Sequence, residues 1–272
     1  MRADTFRYVA DLVRLRSAIQ LEAGKEYLVE SRLGPLARRV GSADIDALVD
    51  AVRAAPDGPW ADAVVEALTT NETSWFRDAQ PFDALIDIVV PSLVEQRTTR
   101  EPLRFWSAAC SSGQEPYSIA MTMAQNAPHV EHRILATDLS REMVERTRLG
   151  QYTQLEMNRG LPVTHLLSHF TRRGASWEIN EEMRSRVDVR QHNLLDQPPW
   201  GGPFDVVFLR NVLIYFDLET KRDILRKVQK VLRPGGFLLL GAAETTIGID
   251  DAWSRVPTGR GSIYQASARR AA

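Results

Sequence analysis

Apolar residues in the first third of the chain recur at the three- and four-residue spacing of amphipathic helices. The clearest series comprises Phe82, Leu85, Ile86, Val89, Val90 and Leu93. Asp78 precedes this series as its expected N-cap, and Pro81 falls in the expected first turn. The pattern predicts that residues 1–97 are helical throughout and form an N-terminal domain.

From Leu103 onward, short apolar runs alternate with amphipathic segments. The predicted strands are 103–109, 133–138, 186–191, 204–209 and 236–241. The predicted helices are 117–126, 140–149 and 219–232. This alternation indicates an α/β domain over 98–272 with a mostly parallel sheet, joined to the first domain by the polar linker 97–102.

The segment 151–185 interrupts this alternation and is too long for one crossover helix. It is rich in polar and aromatic residues, and Arg173-Gly174-Ala175 is typical of a turn. We therefore expect an inserted subdomain with a helix and a small hairpin.

Composition narrows the class of protein without deciding its function. The chain has 272 residues, of which 25% are charged, and its net charge of −1 provides no global attraction to nucleic acid or to an anionic membrane. The single cysteine, Cys110, excludes an internal disulfide and is expected to be a packed residue rather than a nucleophile. No apolar run is long enough to span a membrane, and the first residues lack the apolar core of a signal peptide, so we expect a cytoplasmic protein.

Chemistry-bearing residues follow several of the predicted strands. Gly113 lies in a turn of small residues between a strand and a helix, where backbone N–H groups can face a ligand. Asp138 ends the second strand, where a carboxylate can bind both hydroxyls of a ribose, and Asn193 can meet the edge of an adenine. Because 108–112 contains no glycine to approach a pyrophosphate, the pattern favours S-adenosylmethionine over NAD.

Structural alternatives remain open for these residues. A solvated strand-end carboxylate is the less common alternative for Asp138. The alternatives are a favourable helix-dipole interaction for Glu115 and a turn cap for Asn211. His165 and His169 have the spacing of zinc ligands, but no glutamate of the catalytic type lies between them. We therefore favour a polar helix face and expect no metal site.

The segment Thr69–Asp78 also has two interpretations. Trp75, Phe76 and Arg77 can belong to a segment that closes over a pocket and carries a fixed positive charge. Alternatively, the segment is a capped helix start with the two aromatic residues as packing anchors.

Five phrases carry a resemblance to a known family. They are Asn71-Glu-Thr-Ser-Trp-Phe-Arg77, Trp106-Ser-Ala-Ala-Cys-Ser-Ser-Gly-Gln-Glu-Pro-Tyr-Ser118, Ala136-Thr-Asp138, Arg210-Asn-Val-Leu-Ile-Tyr-Phe216 and Leu232-Arg-Pro-Gly-Gly236. The chain resembles the CheR family of chemotaxis receptor methyltransferases from its N-terminal helices to Ile263-Tyr264. The resemblance implies a Rossmann-like class I methyltransferase sheet, an all-helical N-terminal domain and a small inserted β subdomain.

The resemblance also implies the site residues and the cofactor, which is S-adenosylmethionine with S-adenosylhomocysteine as product. The implied cofactor-binding residues are Asn71, Thr73 and Arg77 at the methionine part, Glu115 near the methionyl group, Asp138 at the ribose, Asn193 and Leu194 at the adenine, and Asn211 and Val212 along the cleft. Arg77 and Tyr215 are the implied catalytic residues. The first loop departs from the family at Ser112-Gly-Gln114, where glycine and acidic residues are frequent.

The implied reaction converts glutamates of chemoreceptors (methyl-accepting chemotaxis proteins) into γ-methyl esters on their cytoplasmic domains. Lys25, Arg32, Arg38 and Arg39 form a basic stripe on the predicted helix 25–39, for which a solvated face is the default interpretation. The resemblance makes this stripe a candidate contact for acidic receptor helices. Bulky residues around Gly174 predict that no pentapeptide tether is required. The alternatives are a methyltransferase for a small molecule or nucleic acid, and a non-catalytic module that binds the cofactor and signals by contact.

Overall fold

The computed structural model describes residues 1–97, 101–198, 202–257 and 261–266. Four helices form the first part of the chain. They are α1 (Ala3–Ser17), α2 (Glu26–Arg39), α3 (Ile45–Ala54) and α4 (Pro59–Ala67). Their apolar faces are buried, and the side chain of Asp44 caps α3 by accepting a hydrogen bond from the Ala47 N–H at 2.7 Å. In the described ranges, no helix is long and apolar enough to cross a membrane.

The chain divides into two compact units. One comprises Met1–Thr70 with Tyr215–Thr220, and the other comprises Asn71–Ile214 with Lys221–Ala272. The division at residue 70 differs from the predicted domain boundary at residue 97. The reason is that Phe82, Leu85 and Leu93 are buried in the same hydrophobic core as the sheet, which a helical periodicity alone does not reveal.

The helical run after the division has three parts. They are α5 (Gln80–Ala84), a π-helical segment (Leu85–Val89) and α6 (Val90–Gln96). The prediction of Asp78 as the N-cap is wrong, because the N-cap is Ala79 and no side chain caps the helix. The carboxylate of Asp78 instead forms an ion pair with Arg210. The predicted linker 97–102 includes residues 98–100, which lie outside the described residues.

A seven-stranded sheet forms the centre of the second unit. The strands of the chain are β1 (Leu103–Ala108), β2 (His132–Asp138), β3 (Gln151–Thr153), β4 (Phe170–Arg173), β5 (Ser176–Ile179), β6 (Val187–Gln191), β7 (Phe204–Leu209), β8 (Leu232–Leu240), β9 (Trp253–Arg255) and β10 (Ser262–Ala266). The remaining helices are α7 (Gln114–Asn126), α8 (Arg141–Leu149), α9 (Gln154–Met157), α10 (Val163–His169), α11 (Glu181–Arg184) and α12 (Leu218–Val231), with a 3-10 turn at Leu213–Tyr215. The large sheet has the order β6-β2-β1-β7-β8-β10-β9.

The predicted mostly parallel sheet is confirmed. Neighbouring strands in the part of the sheet ordered β6-β2-β1-β7-β8 pair in parallel. At the other edge, β10 pairs antiparallel with β8 and with β9. The last predicted strand begins earlier than expected, because Leu232 already pairs with Phe204 before a register shift. The chain order reverses at β1, which is flanked by β2 and β7, and ligands of such sheets bind at the carboxyl ends of the strands near this point.

The inserted segment contains a small antiparallel sheet of its own, with the order β3-β5-β4. Strands β4 and β5 pair around a turn at Gly174, as the sequence predicts. Helices α9 and α10 lie between β3 and β4 in the chain. The expected hairpin is therefore present, together with a third strand and a second helix.

Candidate active site

The loop between β1 and α7 curls tightly at the carboxyl edge of the sheet. Ala109, Ser111 and Gly113 have φ angles of 61°, 51° and 95°, in the left-handed region. A Cβ atom at Gly113 would lie within 3.0 Å of the Thr147 side chain, so glycine is required there. The loop thus places its backbone next to the end of β2.

Asp138 holds this loop from the end of β2. Its Oδ2 accepts a hydrogen bond from the Ser111 N–H at 2.7 Å, and its Oδ1 accepts one from the Ser140 N–H at 2.9 Å. The residue is 6% exposed, so the alternative of a solvated strand-end carboxylate is wrong. These two hydrogen bonds fix the orientation of the carboxylate at the end of β2.

Glu115 lies in the first turn of α7 and is joined to the neighbouring strands. Its Oε1 accepts a hydrogen bond from the Ser107 hydroxyl at 2.8 Å, and its Oε2 pairs with Nη1 of Arg210 at 3.0 Å. This ion pair is largely buried, with side-chain exposures of 12% for Glu115 and 1% for Arg210. Glu115 therefore does more than favour the helix dipole.

Arg210 follows β7 and connects three parts of the site. Besides Glu115, its Nη2 donates to the Asp78 carboxylate at 2.8 Å and to the Arg77 carbonyl at 2.7 Å. A buried guanidinium needs such partners, because its desolvation is costly. The sequence shows an arginine directly after a buried strand but gives no signal of its role. That role depends on partners more than 90 residues away.

The segment Asn71–Asp78, here called the 71–78 segment, has a strained end. Phe76, Asp78 and the following Ala79 have φ angles of 47°, 67° and 43°, and each such conformation costs about 1–3 kcal/mol in a residue other than glycine. Contacts with the sheet unit hold the segment: the Asn71 carbonyl accepts from the Ser111 hydroxyl at 2.7 Å. The Phe76 N–H donates to Oγ of Ser118 at 3.1 Å.

Arg77 and Thr73 are half-buried on this segment, and Nη1 of Arg77 donates to the Glu72 carbonyl at 3.1 Å. Trp75 is 1% exposed and is therefore a packing anchor, as one interpretation of the sequence holds. The other interpretation, in which the segment closes over a pocket, stays a prediction.

Glu244 organises the loop after β7 and was missed by the sequence analysis. Its carboxylate accepts hydrogen bonds from the N–H groups of Asn211, Val212, Leu213 and Gly241 at 2.7–2.9 Å. The residue is 6% exposed, and a single acidic residue in an ordinary loop gives no sequence signal for this arrangement. Asn211, with a φ angle of 58°, and Val212 are half-buried at this edge.

Asn193 and Leu194 follow β6 and are half-buried. Oδ1 of Asn193 accepts a hydrogen bond from the Leu195 N–H at 3.0 Å, which orients the side-chain amide within its turn. Tyr215 ends the 3-10 turn and belongs to the other compact unit. The structure thus brings the predicted residues from 71 to 212 together in the second unit, whereas Tyr215 is grouped with the helical one.

Cys110 and His165 are buried, whereas His169 is half-buried. Burial raises the pKa of the Cys110 thiol, which therefore stays protonated at neutral pH. The rings of His165 and His169 stack at 5.6 Å, and burial lowers the pKa of both. Among the residues with described positions, no group of three or more metal-ligand side chains could hold an ion.

Two family models cover nearly the whole chain. The model of the CheR methyltransferase SAM binding domain matches residues 71–261, and the model of the CheR methyltransferase all-alpha domain matches residues 4–69. The chain belongs to the CheR methyltransferase family. The two matches meet where the compact units divide.

Several full-length relatives are similar to this chain. It is 43% identical to the chemotaxis protein methyltransferase Cher2 of Pseudomonas putida over 255 residues, covering 91% of this chain and 92% of the relative. Identity to chemotaxis protein methyltransferase 1 of Pseudomonas aeruginosa is also 43%, with the same coverage. The chemotaxis protein methyltransferase of Escherichia coli is 35% identical over 88% of this chain and 83% of the relative.

The cofactor of this CheR family member is S-adenosylmethionine, and the chain is a methyltransferase. The polar groups at the strand ends fit this molecule. Asp138 provides carboxylate oxygens suited to ribose hydroxyls, and Glu115 provides an anion suited to the amino acid's ammonium group. Arg77 provides a cation suited to a carboxylate.

Proposed function

We propose that this chain methylates glutamate side chains on the cytoplasmic domains of chemoreceptors, which yields γ-methyl esters during adaptation in chemotaxis. The observation that carries the proposal is the position of Arg77 on a strained segment beside the strand ends of a SAM-binding sheet. The similarity to chemotaxis protein methyltransferases over most of the chain supports it.

The chemistry of the strand ends is consistent with a carboxylate nucleophile. Bound S-adenosylmethionine supplies an electrophilic sulfonium methyl group, which a glutamate oxygen can attack in line. A free glutamate has a pKa of about 4.3, so it is ionised at neutral pH and requires no general base. Asp138, Glu115 and Glu244 all accept hydrogen bonds that hold the loops, which matches a role in binding rather than in proton transfer.

Arg77 is the proposed catalytic group that orients the glutamate carboxylate, and Tyr215 is proposed as a hydrogen-bonding wall. A hydrated carboxylate is a poor nucleophile, so orientation and partial desolvation are the main contributions expected of the protein. The carbonyl of Arg77 is fixed by Arg210 at 2.7 Å, while its guanidinium remains half-buried at the segment. Asn71, Thr73, Asn193, Leu194, Asn211 and Val212 are proposed to complete the cofactor site.

The receptor is proposed to dock on α2 of the helical unit, without a pentapeptide tether. Arg38 and Arg39 are exposed near the end of this helix, and Arg32 bonds to the Thr69 carbonyl and to Thr70. In the inserted sheet, the edge strand β4 carries exposed Arg172 and Arg173, whose bulk does not favour the close approach of a peptide backbone.

The test is methyl transfer from labelled S-adenosylmethionine to membranes enriched in chemoreceptors, with and without the receptor's C-terminal tail. We expect base-labile methyl esters on receptor glutamates with either membrane preparation. Arg77→Ala should abolish methyl transfer, because the glutamate carboxylate is no longer oriented. The unfolding temperature of the protein should be nearly unchanged, because the Arg77 side chain is only half-buried. Near-normal turnover of Arg77→Ala would contradict its catalytic role.

The same assay separates the two alternative functions. Base-stable label, or label on a different molecule, would indicate a methyltransferase with another substrate. Tight binding of S-adenosylhomocysteine without transfer to any fraction would indicate a module that signals by contact. Loss of receptor methylation after removal of only the C-terminal tail would overturn the proposed independence from a tether.

A further inference from the structure

The inserted subdomain, residues 151–179, contacts the backbone of the 71–78 segment directly. The Trp75 N–H donates a hydrogen bond to the Arg159 carbonyl at 3.0 Å. The next residue, Gly160, has a φ of 95°, and a Cβ atom there would lie closer than 3.0 Å to the Trp75 carbonyl oxygen. The two stretches of backbone therefore approach so closely that only glycine fits at this point.

The side chain of Trp75 is enclosed by the same subdomain. Its ring meets Tyr152 edge-on at 4.8 Å and Phe170 at 5.4 Å. Tyr152 also donates from its hydroxyl to the Ser112 carbonyl at 2.9 Å, in the loop between β1 and α7. The inserted subdomain thus contacts both the 71–78 segment and the loop that Asp138 holds.

A third contact lies immediately before Arg77. The ring of Phe76 stacks on His165 of α10 at 4.9 Å with an angle of 22° between the ring planes. Phe76 has a φ of 47°, a conformation that non-glycine residues adopt only when their surroundings impose it. His165 is 9% exposed, so this stack is part of the packed interior.

We infer that the inserted subdomain is a positioning element of the active site, and that Gly160 is the positioning residue that sets the distance between it and the 71–78 segment. The inference rests on the proposed function for the role of Arg77 in orienting glutamate. Its physical basis is that Trp75 and Phe76 are held by the subdomain, so that the strained turn at Phe76 presents Arg77 in one conformation. A displacement of about 1 Å of a catalytic group can cost about 10²-fold in rate.

The experiment compares Gly160→Ala with Gly174→Ala, which is a matched control in the same subdomain. Gly174 also has a left-handed φ, of 62°, but nothing lies within 4 Å of the position of its added Cβ. Both substitutions introduce the same kind of backbone strain, whereas only Gly160→Ala must displace Trp75. A difference between the two variants therefore measures displacement of the segment.

Three measurements on the full chain report the effect. For Gly160→Ala we expect faster amide hydrogen exchange at Trp75, weaker calorimetric binding of S-adenosylhomocysteine, and a kcat for receptor methylation lower by about 10²-fold with little change in the KM for receptor. Gly174→Ala should resemble the wild type in all three. Wild-type exchange, affinity and kcat in a folded Gly160→Ala variant would overturn the inference, as would equal losses in both variants.

A second variant applies if Gly160→Ala does not fold. His165→Ala removes the stack on Phe76 without a clash and should reduce S-adenosylhomocysteine affinity and kcat, whereas unchanged values would overturn the inference. Exchange and affinity require no glutamate substrate. If the wild type binds S-adenosylhomocysteine but methylates no receptor, the proposed function fails while these two measurements still decide the positioning role.

Discussion

Charged side chains at the carboxyl edge of the sheet hold the backbone of the loops around the candidate site. Asp138 and Glu244 accept hydrogen bonds from the N–H groups of neighbouring loops, and Arg210 donates to the Arg77 carbonyl. Buried charges are costly without such partners, so each of these residues couples the folding of a loop to the geometry of the site. Substitutions here must separate a loss of stability from a loss of binding.

Asp138→Asn should weaken the binding of S-adenosylhomocysteine with only a moderate loss of stability. The amide keeps one acceptor but loses the charge, and a hydrogen bond to a charged group contributes about 1.5–3 kcal/mol, equivalent to about 10- to 150-fold in affinity. Asp138→Ala is less informative, because it would leave the buried N–H groups of Ser111 and Ser140 without their acceptor. Isothermal calorimetry with S-adenosylhomocysteine measures the effect.

The matched control is Asp205→Asn at the start of β7, at the opposite end of the sheet from the site. Asp205 is 2% exposed and likewise accepts from a backbone N–H, that of Arg104 at 2.7 Å, while pairing with Arg97. The Asp205→Asn substitution should lower the unfolding temperature and leave the affinity for S-adenosylhomocysteine unchanged. Unchanged affinity in a folded Asp138→Asn variant would show that this carboxylate only holds the loop.

Helix α2 presents a basic surface with unequal members. Arg32 is hydrogen-bonded to Thr69 and Thr70 within its own unit, whereas Arg38 and Arg39 are exposed near the end of the helix. Exposed arginines contribute little to stability, so their charge can be reversed with small structural consequences. Charge reversal on α2 can therefore test whether the receptor docks on this helix.

The double substitution Arg38→Glu with Arg39→Glu should reduce receptor methylation, because an acidic receptor helix would be repelled by the new negative charges on α2. The loss should be larger at low ionic strength, where surface charges are screened less. Methylation rates at two salt concentrations and the affinity for S-adenosylhomocysteine are measured together. The affinity should not change, since α2 contributes none of the proposed cofactor-binding residues.

Charge reversal of Arg172 and Arg173 on β4 is the matched control, because both are exposed on another surface. This control variant should methylate receptor at the wild-type rate. A normal rate for the α2 variant, or an equal loss in the control, would show that α2 is not the docking surface.

At the scale of the whole molecule, four histidines make the free energy of unfolding depend on pH in the same direction. Burial is the main cause that lowers the pKa of His132, His165, His169 and His192 below the ordinary value. The unfolded chain therefore binds more protons than the folded one as the pH falls below about 6.5, the pKa of an unfolded histidine. Their stabilising contribution is complete above that pH and is lost progressively as the pH falls toward the folded-state pKa values.

We expect the free energy of unfolding to decrease when the pH is lowered from about 7 to about 5.5, a range in which ordinary carboxylates stay ionised. Urea denaturation at several pH values measures the slope. His165→Phe removes one titrating group and can keep an aromatic contact with Phe76, so this variant should show a smaller slope. A stability that is constant or that rises on acidification would contradict the prediction.

The sequence predicted the regular elements well because their signals are local. The alternation of short apolar runs with amphipathic segments indicated the parallel sheet, and Gly174 marked the turn of the inserted hairpin. The N-cap at Asp78 was wrong because its carboxylate has a stronger distant partner in Arg210, 132 residues away. A local capping pattern cannot show such competition.

By itself, the sequence determined the fold class, the family resemblance, and the strand ends at which Asp138, Asn193 and Asn211 lie, since all of these depend on spacing along the chain. Only the tertiary structure decided that residues 71–97 pack with the sheet and that Arg210 and Glu244 hold the loops around the site. It alone decided that Gly160 touches Trp75, 85 residues earlier. The physical reason is that hydrogen bonds and close packing depend on distance in space, and folding brings together residues between which the sequence has no periodic relation.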